Sequence, residues 1–223
     1  METLNSTLES MNVWPWFLVC MAAFLFTTYI MGRQSRHFYL QGVTRMPFSI
    51  FDLEFPGDAK TLPHIMRDIN NLPNGEGVKV RKALRANLLT DFVFMPATYI
   101  GIFLLCIHTA NEMTLWGKIV FNVLAWMQVL AWLFDVIENI YLLNKMKHPV
   151  PSSPLVHKAY VRVVQAKWAI ACTAAVCAAF GSLYFWLVGE FDTYAINYLI
   201  IFAVEIILFL VISRMGKKKA ATA

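Results

Sequence analysis

Five stretches of this 223-residue chain are apolar for about 20 residues or more, the length a helix needs to cross a bilayer at about 1.5 Å per residue. They are 13–32, 88–108, 116–143, 167–188 and 194–213. In lipid each backbone N–H and C=O must be satisfied within its own segment, so these stretches are expected to be helices. Composition agrees. Charged residues are 15% and apolar residues 58%, whereas a soluble domain carries about 25% charge. There is too little charge to cover a water-facing surface. A soluble nucleic-acid binder, a disordered chain and a secreted disulfide scaffold are excluded. The expected fold is all-α: an integral membrane bundle of five transmembrane helices with a cytoplasmic amphipathic segment between the first two.

The basic residues orient the chain. All 19 lysines and arginines but Lys118 fall in 33–87, in 144–167 or after 213. The stretches 1–12, 109–115 and 189–193 have none, and the last carries Glu190 and Asp192. Basic loops stay cytoplasmic, so the N-terminus is expected outside and the basic tail 214–223 inside. The stretch 1–12 has no positive charge, and the first span is read as a retained anchor rather than a signal peptide. The sequon Asn5-Ser6-Thr7 would then lie outside. Trp14, Trp16, Trp116, Tyr184, Trp186 and Tyr194 fall near the outer boundary and fit an interfacial aromatic belt. Cys20, Cys106, Cys172 and Cys177 all lie within spans and are read as packing residues.

The segment 33–87 is too long for a bare connection. Within it, Pro47 and Pro56-Gly57 bracket Phe48–Phe55. An extended stretch would place Asp52 and Glu54 on one face, and a helix would splay them. Leu62, Ile65, Met66 and Ile69 then follow at i, i+3, i+4 and i+7, with Thr61 as the expected N-cap. This predicts a short amphipathic helix lying on the membrane or packed under the bundle. Asn74-Gly75 signals a turn. The basic run 78–87 extends the second span into the cytosol, where it is expected to meet anionic headgroups rather than nucleic acid.

Ionisable groups inside spans are costly, and therefore informative. Gln128, Asp135, Glu138 and Asn139 fall within roughly 100° of helix arc on the third span. Asp91 sits at similar depth on the second. With Asp52 and Glu54 these form a candidate ligand- or cation-binding cluster. Crowded carboxylates need cations. Arg81, Arg85, Arg162 and Lys167 are the candidate ion-pair partners, which would make the cluster an ion-paired staple. A divalent cation on oxygen ligands would make it a metal site. Glu205 stands apart near the middle of the fifth span. It is expected to be protonated at neutral pH and hydrogen-bonded across the bundle, to a tyrosine or to Gln128; Tyr198, seven residues before it on the same span, shares its face as a further polar candidate. On span four, Ala171, Ala175 and Ala179, and beside them Ala174, Ala178 and Ser182, form small-residue rows expected to pack internally.

Phe51-Asp52-Leu53-Glu54-Phe55, Asp91-Phe92-Val93-Phe94-Met95-Pro96-Ala97 and Asp135-Val136-Ile137-Glu138-Asn139 resemble a family of uncharacterised small bacterial polytopic membrane proteins. The resemblance implies a helical protein of the bacterial inner membrane with these acidic groups in shared positions, and no activity. Three functions are compatible with the residues. The first is an accessory membrane protein, or one that binds a lipid, cation or other ligand, alone, as a homo-oligomer or beside a partner subunit. The second is a metal-dependent enzyme modifying lipids from the cytoplasmic leaflet. The third is a small proton-coupled transporter using Glu205. No nucleophile–base pair or specific metal motif supports catalysis, and no repeat supports transport, so the first is preferred.

Labelling of single cysteines from either side of the membrane is expected to place Ser153 inside and Asp192 outside. An external Ser153 would overturn the orientation.

Overall fold

The computed structural model describes residues 12–40, 46–189 and 193–221, and no side-chain detail for 193–196 or 214–221. The sequon at Asn5, Glu190, Asp192 and the side chain of Tyr194 lie outside what is described. The described residues form seven α-helices, and the protein is all-α. They are α1 Val13–Gln34, α2 Ile50–Glu54, α3 Thr61–Asn70, α4 Glu76–Glu112, α5 Leu115–Lys147, α6 Pro154–Val188 and α7 Thr193–Ala221. A two-residue antiparallel ladder, β1 Tyr39–Leu40 with β2 Met46–Pro47, follows α1. Helix α4 is the hub and packs on α1, α5 and α6, while α7 packs on α1.

Four helices (α1, α4, α5 and α6) are long and apolar enough to cross a membrane, by length and composition. Of α7, the part whose side chains are described, Asn197–Ser213, is a further apolar helix. In the most apolar window of α6 only 17% of residues are buried, and in that of α4 only 39%. Apolar side chains such as Phe26, Leu133, Ile137 and Phe180 therefore face outward. Hydrocarbon tolerates that distribution and water penalises it.

Three helices are much longer than a crossing requires. Helices α4, α5 and α6 have 37, 33 and 35 residues, or roughly 50–55 Å at 1.5 Å per residue. The surplus of α4 and α6 lies at the end that carries α2 and α3, here termed the near end. The basic run 78–87 is helical, as expected. Most of 144–166, read from the sequence as loop, is helical too: the preceding helix runs to Lys147, and 154–166 opens α6, where Ser153 Oγ accepts from the Val156 N–H and Pro154 stands in the first turn.

Between these extensions lies the largest core of the molecule. Leu62, Ile65, Met66 and Ile69, one face of α3, are all buried there with Val80, Leu84, Leu142, Tyr160 and Val164. Of the two placements expected for α3, packing under the bundle is the one found. The helix starts at Thr61 itself, and the cap is supplied from outside it: Asp58 Oδ1 accepts from the backbone N–H of Thr61 at 2.7 Å and of Lys60 at 2.8 Å. These donors hold the exposed Asp58 carboxyl below the usual carboxylate range, the Thr61 hydroxyl first among them. The Asn74-Gly75 turn has φ of 55° and 72°, the left-handed region that reverses the chain from α3 into α4.

The far end is held by small residues. Ala174 and Ala178 of α6 are fully buried against α4 and α5, and Ser182 is buried beside them. Thr109 of α4 bridges to α6 through the Ser182 hydroxyl at 3.0 Å and the Ala178 carbonyl at 3.3 Å.

Gly77 tests the α3–α4 contact. A Cβ there would stand 2.2 Å from the Ile69 carbonyl oxygen, which is backbone and cannot swing away. Gly77→Ala is expected to destabilise the near end by about 1–3 kcal/mol. Gly57→Ala, where nothing lies within 4 Å, should leave it unchanged. Melting in mild detergent with limited proteolysis around residue 73 checks both. Equal behaviour of the two variants would overturn the account.

Candidate functional site

The third-span stripe turns inward, as polar groups in an apolar helix must. Gln128, Asp135, Glu138 and Asn139 of α5 are all buried. Lys167 of α6, itself only 5% exposed, points into the same space. Its ammonium is 2.8 Å from Asp135 Oδ1, to which it donates a hydrogen bond, and 2.6 Å from Glu138 Oε2. The Glu138 contact is a close ion pair. A third carboxylate arrives from outside the long helices: Glu54 Oε1 of α2 is 4.0 Å from the same ammonium.

Neighbouring groups take up the second oxygens of Asp135 and Glu54. Tyr99 of α4 donates to Asp135 Oδ2 at 2.9 Å. The Trp168 indole donates to Glu54 Oε2 at 2.9 Å, and Tyr160 donates to the Leu53 carbonyl at 3.0 Å. Asn139 donates to Asp91 Oδ2 at 2.7 Å, which binds Asp91 to the edge of the cluster. The network therefore ties α2, α4, α5 and α6 around one ammonium.

Several expectations are corrected. Asp52 and Glu54 do not share a face, because Ile50–Glu54 is a short helix that splays them. Asp52 instead accepts from the Ser49 N–H at 2.7 Å and caps that helix while exposed. Of the four candidate cations only Lys167 reaches the cluster. Arg81, Arg85 and Arg162 are exposed, on helix faces turned away from it. Glu205 does not find its expected partner: its Oε2 has no hydrogen bond, nor has Gln128 Oε1. Gln128 sits on α5 and turns back to the Leu124 carbonyl, while α7 packs on α1. Tyr198 accepts from Asn12 at 2.9 Å instead.

Three contributors escaped the sequence reading: Tyr99, Tyr160 and Trp168. Tyr99 lies eight residues after Asp91, within roughly 80° of its face at 100° per residue, so its part in the stripe was open to detection. Trp168 and Tyr160 join through α2, whose docking no periodicity announces.

Chemically, the place a metal ion would occupy among Glu54, Asp135 and Glu138 is filled by the Lys167 ammonium. Among the described residues no group of three or more His, Cys, Asp or Glu is arranged to hold a metal ion. No family model matches the chain, nor does any curated protein or solved structure.

Two outcomes are expected. Lys167→Met leaves buried carboxylates uncompensated and should cost about 3–5 kcal/mol, with partial recovery in Lys167→Met/Glu138→Gln. Melting of the purified variants checks this, and a silent Lys167→Met would overturn it. The second concerns α2, which lies outside the candidate spans. Burial pushes the Glu54 carboxyl above its ordinary range, outweighing the pull of Lys167 and the Trp168 bond. A folded value above the unfolded one means that Glu54 favours docking at pH below its ordinary pKa. That contribution is lost as pH rises through the raised value. Proteolysis of the 55–75 segment should accelerate with rising pH in the native chain and lose that dependence in Glu54→Gln.

Proposed function

We propose that the chain is a five-span membrane protein without catalytic activity of its own, an accessory protein whose buried acidic cluster binds its own lysine and so locks a cap onto the cytoplasmic end of the bundle. One observation carries the reading: the Lys167 ammonium is shared by carboxylates of α5 and of the short segment helix α2. A site whose cation is a built-in side chain holds structure together; it leaves no open coordination position of the kind a metal-dependent lipid-modifying enzyme needs.

On this reading α7 is the fifth span, the near end faces the cytoplasm, and a bacterial inner membrane is the expected location. The basic residues of the near end, Arg81 and Arg85 among them, stand exposed on the α4 extension where anionic headgroups lie within electrostatic reach. Among the described residues no direct hydrogen bond joins Gln128, Tyr198 or Glu205 to the Lys167 cluster, and the reading prefers the accessory role to the proton-coupled transporter on that separation.

Metal analysis of the purified protein tests the proposal. Less than one divalent ion per chain is expected, unchanged by Asp135→Ala. A stoichiometric ion lost with Asp135 would replace this reading with the metal enzyme. Proton uptake into vesicles containing the protein, abolished by Glu205→Gln, would replace it with the transporter.

A further inference from the structure

The far half of the bundle contains a partly open cavity of about 550 Å³, walled by α1, α4, α6 and α7. Its origin is visible in the packing. The row Ala174, Ala178 and Ser182 of α6 is used against α4, and the row beside it, Ala175 and Ala179, is left lining the gap. Helix α7 packs on α1, so the space between α6 and α7 stays unfilled by side chains. Phe17, Phe24, Leu105 and Phe202 supply the opposite walls.

The lining selects its occupant by charge and hydrogen bonding. Among the described residues no Asp, Glu, Lys, Arg or His lines the cavity. Along the body of the cavity the hydroxyls are engaged, Thr98 with the Phe94 carbonyl at 2.9 Å and Ser182 with Thr109 at 3.0 Å, while Tyr198 accepts from Asn12 at 2.9 Å and keeps its own O–H to donate. A charged or strongly polar ligand would lose its water along the apolar body of the cavity and gain no ionic partner there. Water itself needs two to four polar partners to remain. An uncharged hydrocarbon body is the complement that is left. The volume lies within the roughly 300–1,000 Å³ of ligand sites. Trp14, Trp186 and Tyr198 gather at the far end of the cavity, where amphipathic rings sit at headgroup level and a polar head can remain in the interface.

We propose that this cavity binds one acyl chain of a membrane phospholipid from the outer leaflet, with the headgroup held at the level of Trp14 and Trp186. The inference rests on the membrane-spanning reading above and is independent of the Lys167 cluster. The chain fills a void whose walls would otherwise forfeit their dispersion contacts.

The test uses the full chain reconstituted in dioleoylphosphatidylcholine vesicles, extracted in mild detergent and weighed intact by native mass spectrometry. The native protein should carry one retained phospholipid. Ala175→Phe/Ala179→Phe, which fills the cavity, should lose it. Phe180→Ala, at a side chain 68% exposed on the outer face of α6, should keep it. If the double variant does not fold, Ala179→Leu alone should release the lipid at lower collision energy than the native chain does. Lipid held equally by the filled variants and the native chain would overturn the proposal. So would a native chain that carries none, or a dimer mass showing a second copy in the gap. A chain stripped from the vesicles by alkaline carbonate would overturn the membrane reading itself. A chain that stays in the vesicles without retained lipid overturns this inference alone.

Discussion

A single ammonium organises the near half of this protein. Lys167 stands in an apolar bundle, where an unpaired charge would cost several kcal/mol, and it stands there because Asp135 and Glu138 lie one helical turn apart on the facing helix. The arrangement works in both directions. The carboxylates need the lysine, and the lysine needs them, so neither α5 nor α6 can rotate about its axis without exposing a bare charge to apolar surroundings. Tyr99 adds α4 through the second oxygen of Asp135. The relative rotation of three long helices is thereby specified by a few polar atoms, which apolar packing alone would leave loosely determined.

The same ammonium explains how a short segment is recruited. Helix α2 has five residues, far too few to be stable alone. It persists because Glu54 reaches the cluster, Tyr160 takes the Leu53 carbonyl, and the Leu53 side chain is fully buried. With α3 it closes the near end over an apolar core built by helix extensions that run beyond the length of a crossing. The two halves of the molecule thus use different physics. The near half has a conventional apolar core with the Lys167 ion-paired centre beside it. The far half depends on close backbone approach between small residues, and it leaves a cavity where the approach is not completed.

Much of the fold was legible in the residues. Length and hydropathy marked the long helices, because an apolar run has few other stable forms. The period of Leu62, Ile65, Met66 and Ile69 marked α3, and Asn74-Gly75 marked its turn. The inward stripe on α5 was readable from spacing at 100° per residue. Asp91, Asp135 and Glu138 could be placed at similar depth because a short connection makes α4 and α5 antiparallel neighbours. These are local properties, each contained within one element.

What only the tertiary structure decided is which elements answer one another across long sequence separation. Four cations were available to the acidic stripe, and no local pattern distinguishes Lys167 from Arg81, Arg85 or Arg162. The choice is made by the rotation of α6 against α5. Whether Asp52 or Glu54 faces the cluster depends on a single turn of helix whose formation depends on docking. Glu205 does not meet Gln128, because its helix packs on α1 and Gln128 lies on α5. Sequence determines which side chains share a face of one helix, since the backbone period is a covalent and hydrogen-bonded property of the chain. It leaves open which faces meet, since that is settled by the sum of many weak contacts between elements far apart in sequence.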